Sequence, residues 1–95
     1  MRTNDVLLAH DCYSDMYYFL QVTKVTAKTV TARRIYASRR TGLPLVGEFN
    51  EDHGPITKRV NDGRISLGTW AGAHVWNGEP LHNVHPLFGV NYNLY

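Results

Sequence analysis

The one cysteine of this chain stands two residues after a histidine and among aspartates, in His10-Asp11-Cys12-Tyr13-Ser14-Asp15. Thiol nucleophiles need a thiolate beside a base that a third group orients. On an extended chain His10 and Cys12 share a face, so thiol and imidazole can meet. No nucleophile elbow, glycine-rich oxyanion element or further His–Asn pair follows. A free cysteine at a strand start more often packs as a small buried apolar residue. The expectation from these residues is therefore no enzyme. Zinc is a second chemistry, calling for about four nitrogen or sulfur ligands. His10 and Cys12 could supply one pair and His82 with His85 another, with zinc as the cofactor if the fold unites them. There is no Cys-x-x-Cys pair, and His53 and His74 stand alone.

A third chemistry is ionic. Residues 24–64 hold nine basic against four acidic residues, a local charge of +5, whereas 1–23 carry −2 and 65–95 carry −1. Arg33, Arg34, Arg39 and Arg40 follow one another closely, and Lys58, Arg59 and Arg64 form a second group. Such a basic middle suits a polyanion or an acidic protein. Tyr17, Tyr18, Tyr36 and Trp70 could add the stacking faces used by single-strand binders. No helix-turn-helix, zinc-finger or RNP pattern is present.

The elements expected to carry these residues are strands. Tyr18, Leu20 and Val22 alternate with Gln21 and Thr23, and Val30 and Ala32 alternate with Thr29, Thr31 and Arg33. Period two with β-branched residues predicts a hairpin of 17–25 and 28–36, closed over Thr26-Ala27. Asn61-Asp62-Gly63 predicts a second hairpin between 56–60 and 64–67, since these residues tolerate positive φ. Residues 37–55, with three glycines and two prolines, read as a long loop with a short strand at 43–46 or 48–49. In "TWAGAHVW" (69–76), Thr69 as an N-cap and apolar residues at 70, 73 and 76 predict one short helical turn. The stretch from His10 reads as an acidic lead-in to the first strand at Tyr17, and 79–95 as an irregular tail with room for one closing strand. The fold expected is one domain, 1–95, all-β or β-dominated. It would be a small sheet or partly open barrel of about four to six antiparallel strands with one helical turn.

Length and composition agree with that size. Ninety-five residues, 43% hydrophobic and 19% charged, suit one globular core. A single cysteine excludes an intrachain disulfide. No apolar run approaches the roughly 18 residues needed to span a bilayer, and "MRTNDVLLAH" lacks the makings of a secretory signal. The expectation is a protein of the cell interior, with no membrane partner.

Three stretches, "YYFLQVTKVTAKTVTARRI", "GPITKRVNDGRISL" and "WNGEPL", occur in that order. Together they resemble a group of small proteins encoded by phages, prophages and related mobile elements. Those proteins have an acidic aromatic lead-in, a threonine-rich hairpin, a variable loop, a second basic hairpin and a W-(D/N)-G-x-P turn. The resemblance runs through most of 10–81, and the threonine-rich hairpin and the turn at 76–80 are its most specific parts. Two departures stand out: "HDCYSD" replaces a Trp-Gly-Tyr-Asp type of lead-in, and the chain after Leu81 is longer. What the resemblance implies is a genomic setting rather than a mechanism, in the cytoplasm of an infected or lysogenic bacterial host. With no catalytic motif, the function expected is a phage accessory protein that binds a host protein or nucleoprotein, an inhibitor of a host defence of the anti-CRISPR type. The alternative is a nucleic-acid-binding β domain working through the basic residues. Oligomeric state is not legible.

Overall fold

The threonine-rich hairpin is present, as β2 (Met16–Val25) and β3 (Thr29–Ala37) in a computed structural model that describes residues 1–84. Its turn lies one residue later than expected, over Ala27-Lys28. The Thr26 amide donates to the Thr29 carbonyl at 2.9 Å, and the Thr26 hydroxyl accepts the Thr29 amide at 3.0 Å. A bulge between Val22 and Lys24 shifts the register. The second hairpin joins β5 (Ile56–Asn61) to β6 (Arg64–Gly68) through Asp62 and Gly63, both at positive φ (52° and 74°). Two successive left-handed residues match the right-handed twist of the flanking strands. The long loop is shorter than expected, because a single strand, β4 (Pro44–Phe49), takes in 48–49 and all of 43–46 but Leu43.

Two elements differ from expectation. Val6–Asp11 forms a strand, β1, so His10 is strand and not lead-in. Its "VLLA" gives no alternation because both faces are buried, Leu7 and Ala9 on one side and Leu8 on the other. Residues 71–75 form a strand, β7, rather than a helical turn. Trp70, Ala73 and Trp76 would share a helix face, yet they enter three environments. Trp70 is exposed, Ala73 is fully buried in one cluster, and Trp76 packs on another. The competing pattern, Ala71, Ala73 and Val75 alternating with Gly72 and His74, prevails because β7 fills the place between β1 and β6.

With β7 there, the sheet closes. The order is β2-β1-β7-β6-β5-β3 with β3 returning to β2, all antiparallel, and β4 added beside β3. The result is a six-stranded barrel plus one strand, more closed than the open sheet or partly open barrel expected. Closure removes the unpaired edges that an open sheet leaves exposed. Leu7, Ala9, Tyr18, Leu20, Val22, Val30, Ala32, Ile65 and Ala73 fill the interior. A second cluster, Leu8, Phe19, Ile35, Ala37 and Leu81, lies outside the barrel on β1, β2 and β3. Buried Gln21 links the layers: its Nε2 donates to Asn4 Oδ1 (3.2 Å) and its Oε1 accepts the Gly47 amide of β4 (2.7 Å). Among the described residues no helix is long and apolar enough to cross a membrane.

The short helix α1 (Leu81–Val84) sits on the β3–β4 turn, where the Leu81 amide donates to the Gly42 carbonyl at 2.9 Å. Gly42 has φ 74°, and a Cβ there would stand 3.1 Å from the backbone nitrogens of Leu81 and His82. Gly42→Ala should therefore lose about 1–2 kcal/mol to left-handed backbone, plus the displacement of α1. Gly47, at φ 86° with nothing within 4 Å of its Cβ position, isolates the first part. Thermal denaturation of both variants should show the larger drop for Gly42→Ala. Equal drops would mean that α1 yields without resistance.

Candidate functional site

The register puts His10 of β1 opposite Tyr17 of β2, and their rings stack 4.0 Å apart at 6°. The β1–β2 turn is organised by Asp11, whose Oδ1 accepts the amides of Tyr13 (3.0 Å) and Ser14 (3.4 Å). Asp15 closes it at φ 53°, a conformation that Asp tolerates better than most residues. Three groups consequently meet in a row. Cys12 Sγ lies 3.6 Å from His10 Nδ1, and His10 Nε2 lies 3.2 Å from Asp15 Oδ1. A thiol, an imidazole and a carboxylate in that order is the contact sequence nucleophilic thiol chemistry uses. The amides nearest the thiol are already committed, however. The Cys12 amide donates to the Trp70 carbonyl (2.8 Å), and those of Tyr13 and Ser14 donate to Asp11. With the Asp15 side chain 70% exposed, water screens the His10 contact, and such pairs contribute about 1 kcal/mol or less.

Beside this turn a groove of about 520 Å³ crosses the outer faces of β1, β7 and β6. Gly72 makes the floor low. It pairs with His10 on one side and Ser66 on the other and has no side chain to stand between them. Trp70 walls one end, and Asn77 and Glu79 border the lining elsewhere. The Cys12–Trp70 backbone bond ties the β1–β2 turn to the β6–β7 turn, so Tyr13 and Trp70 are presented from neighbouring loops. Both are open to solvent, Tyr13 at 87% and Trp70 at 64% exposure. Among the described residues Arg64 is the only Lys or Arg in the lining; Glu79 lies in it too, and Asp15 sits on His10. This face is therefore aromatic and close to neutral rather than basic.

The seven basic candidates do not share one surface, because successive strand residues face opposite ways. Arg33 pairs with Gln21 on the outside, with its guanidinium 4.7 Å from the Phe49 centroid and Nη2 3.2 Å from Glu51. Its Nε is buried with no hydrogen-bond partner among the described residues. Arg34 faces inward over Tyr18, and Lys58 faces inward opposite Val30. Arg59 is exposed opposite Thr29, Arg64 lies in the groove opposite His74, and Arg39 and Arg40 are exposed in the β3–β4 turn. Of the aromatic residues expected to stack, Tyr18 is buried and Tyr17 is occupied by His10, which leaves Trp70 as the most exposed.

Of the proposed zinc ligands, His10 and Cys12 come together, whereas His82 lies on α1 against Gly42. His85 falls outside the described residues. Among the described residues no group of three or more His, Cys, Asp or Glu is placed to hold a metal. Asp15, Gly72 and His74 also belong to this region. Only Asp15 carried a signal, its nearness to His10; the others join through strand pairing. Comparison of the chain with protein-family models, with curated proteins and with solved structures finds no significant match.

Proposed function

We propose that this protein is a non-catalytic binding module of a phage or related mobile element, working by occupying a protein surface of its host through the β1–β7–β6 groove. The observation that carries this reading is the pair of solvent-open aromatics, Trp70 and Tyr13, held by bonded turns beside the groove and Arg64. Trp, Tyr and Arg are the side chains that dominate binding energy at protein interfaces. Fixed turns lower the ordering entropy that binding must otherwise overcome. The committed amides around Cys12 favour binding over acyl transfer, which needs donors free to meet an oxyanion. The genomic setting that the resemblance implies favours as target a host defence nucleoprotein, such as an anti-CRISPR protein engages. Nucleic acid is the second reading, and the dispersal of the basic side chains over opposite faces weighs against it.

Site-specific photo-cross-linking tests the reading. A cross-linker at Thr69 should capture a host protein that one at Val46, on β4, does not, and nuclease treatment should leave the capture intact. Capture from Val46 alone, or its loss with nuclease, overturns the proposal.

A further inference from the structure

Two cations stand among the apolar residues on the inward rows of the barrel. Arg34 pairs with Leu20 and Lys58 pairs with Val30, and directly opposed residues of an antiparallel pair share a face. Leu20 and Val30 are buried in the interior cluster, so both cations project to the inside. They do so where the barrel opens. Pairing of β3 with β5 stops at Ala32–Ile56, and β3 then pairs with β4 at Ile35. Residues 50–55 bridge that parting, anchored by the Asn50 amide on the Arg34 carbonyl (2.9 Å). The space left is a cavity of about 440 Å³. Ligand sites at the mouths of barrels fall in the same range, roughly 300–1,000 Å³.

Its lining divides by chemistry. Leu20, Ile56 and Leu67 are apolar, while Arg34 and Lys58 are fixed cations. The guanidinium of Arg34 lies 3.9 Å from the Tyr18 centroid, and His53 Nε2 is 3.4 Å from its Nη1. Stacking of this kind holds a guanidinium in one plane, the arrangement suited to bidentate contact with phosphate oxygens. Among the described residues one carboxylate, exposed Asp52, belongs to the lining, so two permanent positive charges there face one negative charge, with the His53 imidazole beside them. Turning cations toward a barrel interior has a desolvation cost that apolar residues would not incur.

We propose that this cavity binds a small organic phosphate monoester, its dianionic head between Arg34 and Lys58 and its organic body on Leu20, Ile56 and Leu67. The site is distinct from the β1–β7–β6 groove and stands or falls independently of it. AMP, adenosine and inorganic phosphate are the probes, titrated into the full chain at low salt by calorimetry and by NMR of Tyr18 and His53. AMP should bind saturably with a Kd below about 1 mM, and adenosine and phosphate at least about tenfold more weakly. Lys58→Met keeps the apolar stem and should weaken AMP about tenfold or more without lowering the thermal midpoint. Arg59→Met, on the outer face of the same strand, should leave AMP binding as it is. Equal binding of AMP and adenosine, unaltered binding by a folded Lys58→Met, or unshifted Tyr18 and His53 resonances under saturating AMP overturns the proposal. Should Lys58→Met not fold, those resonances in the unmodified chain decide alone.

Discussion

Phe19→Ala should unfold a large fraction of this protein's stability, by about 3–5 kcal/mol. The ring is fully buried, yet it lies outside the barrel, on the face of β2 opposite Leu20. It meets Trp76 edge-on at 5.6 Å and packs with Leu8, Ile35 and Leu81. That cluster couples β1, β2 and β3 to α1, so its loss removes a second core and leaves a cavity that the neighbouring strands are too well paired to collapse. A domain of this size has roughly 5–15 kcal/mol in total. Urea unfolding followed by Trp fluorescence measures the loss. Val46→Ala, 59% exposed on β4, should change stability by no more than about 0.5 kcal/mol. A Phe19→Ala loss under about 1 kcal/mol would mean that the barrel interior alone carries the fold.

Trp70→Ala should act in the opposite manner, with little effect on folding and a large one on binding. The side chain is 64% exposed, and its residue's structural bond to Cys12 uses the backbone carbonyl, which alanine retains. Stability should stay within about 0.5 kcal/mol. Affinity for the host protein should fall by about 2–4 kcal/mol, or about 30- to 1,000-fold, because truncating an aromatic anchor that binding buries has that effect. Adding Tyr13→Ala should deepen the loss without summing simply, since the two rings are presented from bonded turns. A double variant that binds within about threefold of the unmodified protein would remove the groove from consideration.

The seven basic residues show where reading a sequence stops. Arg33 and Arg34 are adjacent in the chain and look like one patch, but β3 sends Arg33 to Phe49 and Glu51 and Arg34 to Tyr18. Clustering along a strand does not make clustering in space. His10 and Cys12 illustrate the converse, since two residues of separation on an extended chain does bring them within 3.6 Å. Asp15 then adds itself through a left-handed turn residue, a detail visible only in the backbone.

The two hairpins were legible because everything that makes them is local: alternation over a few residues, threonine hydroxyls at one turn, and Asp62-Gly63 at the other. The strands β1 and β7 were not, for a physical reason that applies to both. β1 is buried on two faces, so its side chains show no period. β7 carries a pattern that helix and strand could both satisfy, and the choice is made by β1 and β6 lying on either side of it. Closure and the groove over Gly72 follow from those long-range pairings, and the cationic cavity from the parting of β3 and β5. Local sequence sets dihedral preferences and periodicity, whereas burial of both faces of a strand depends on neighbours that are distant in the chain.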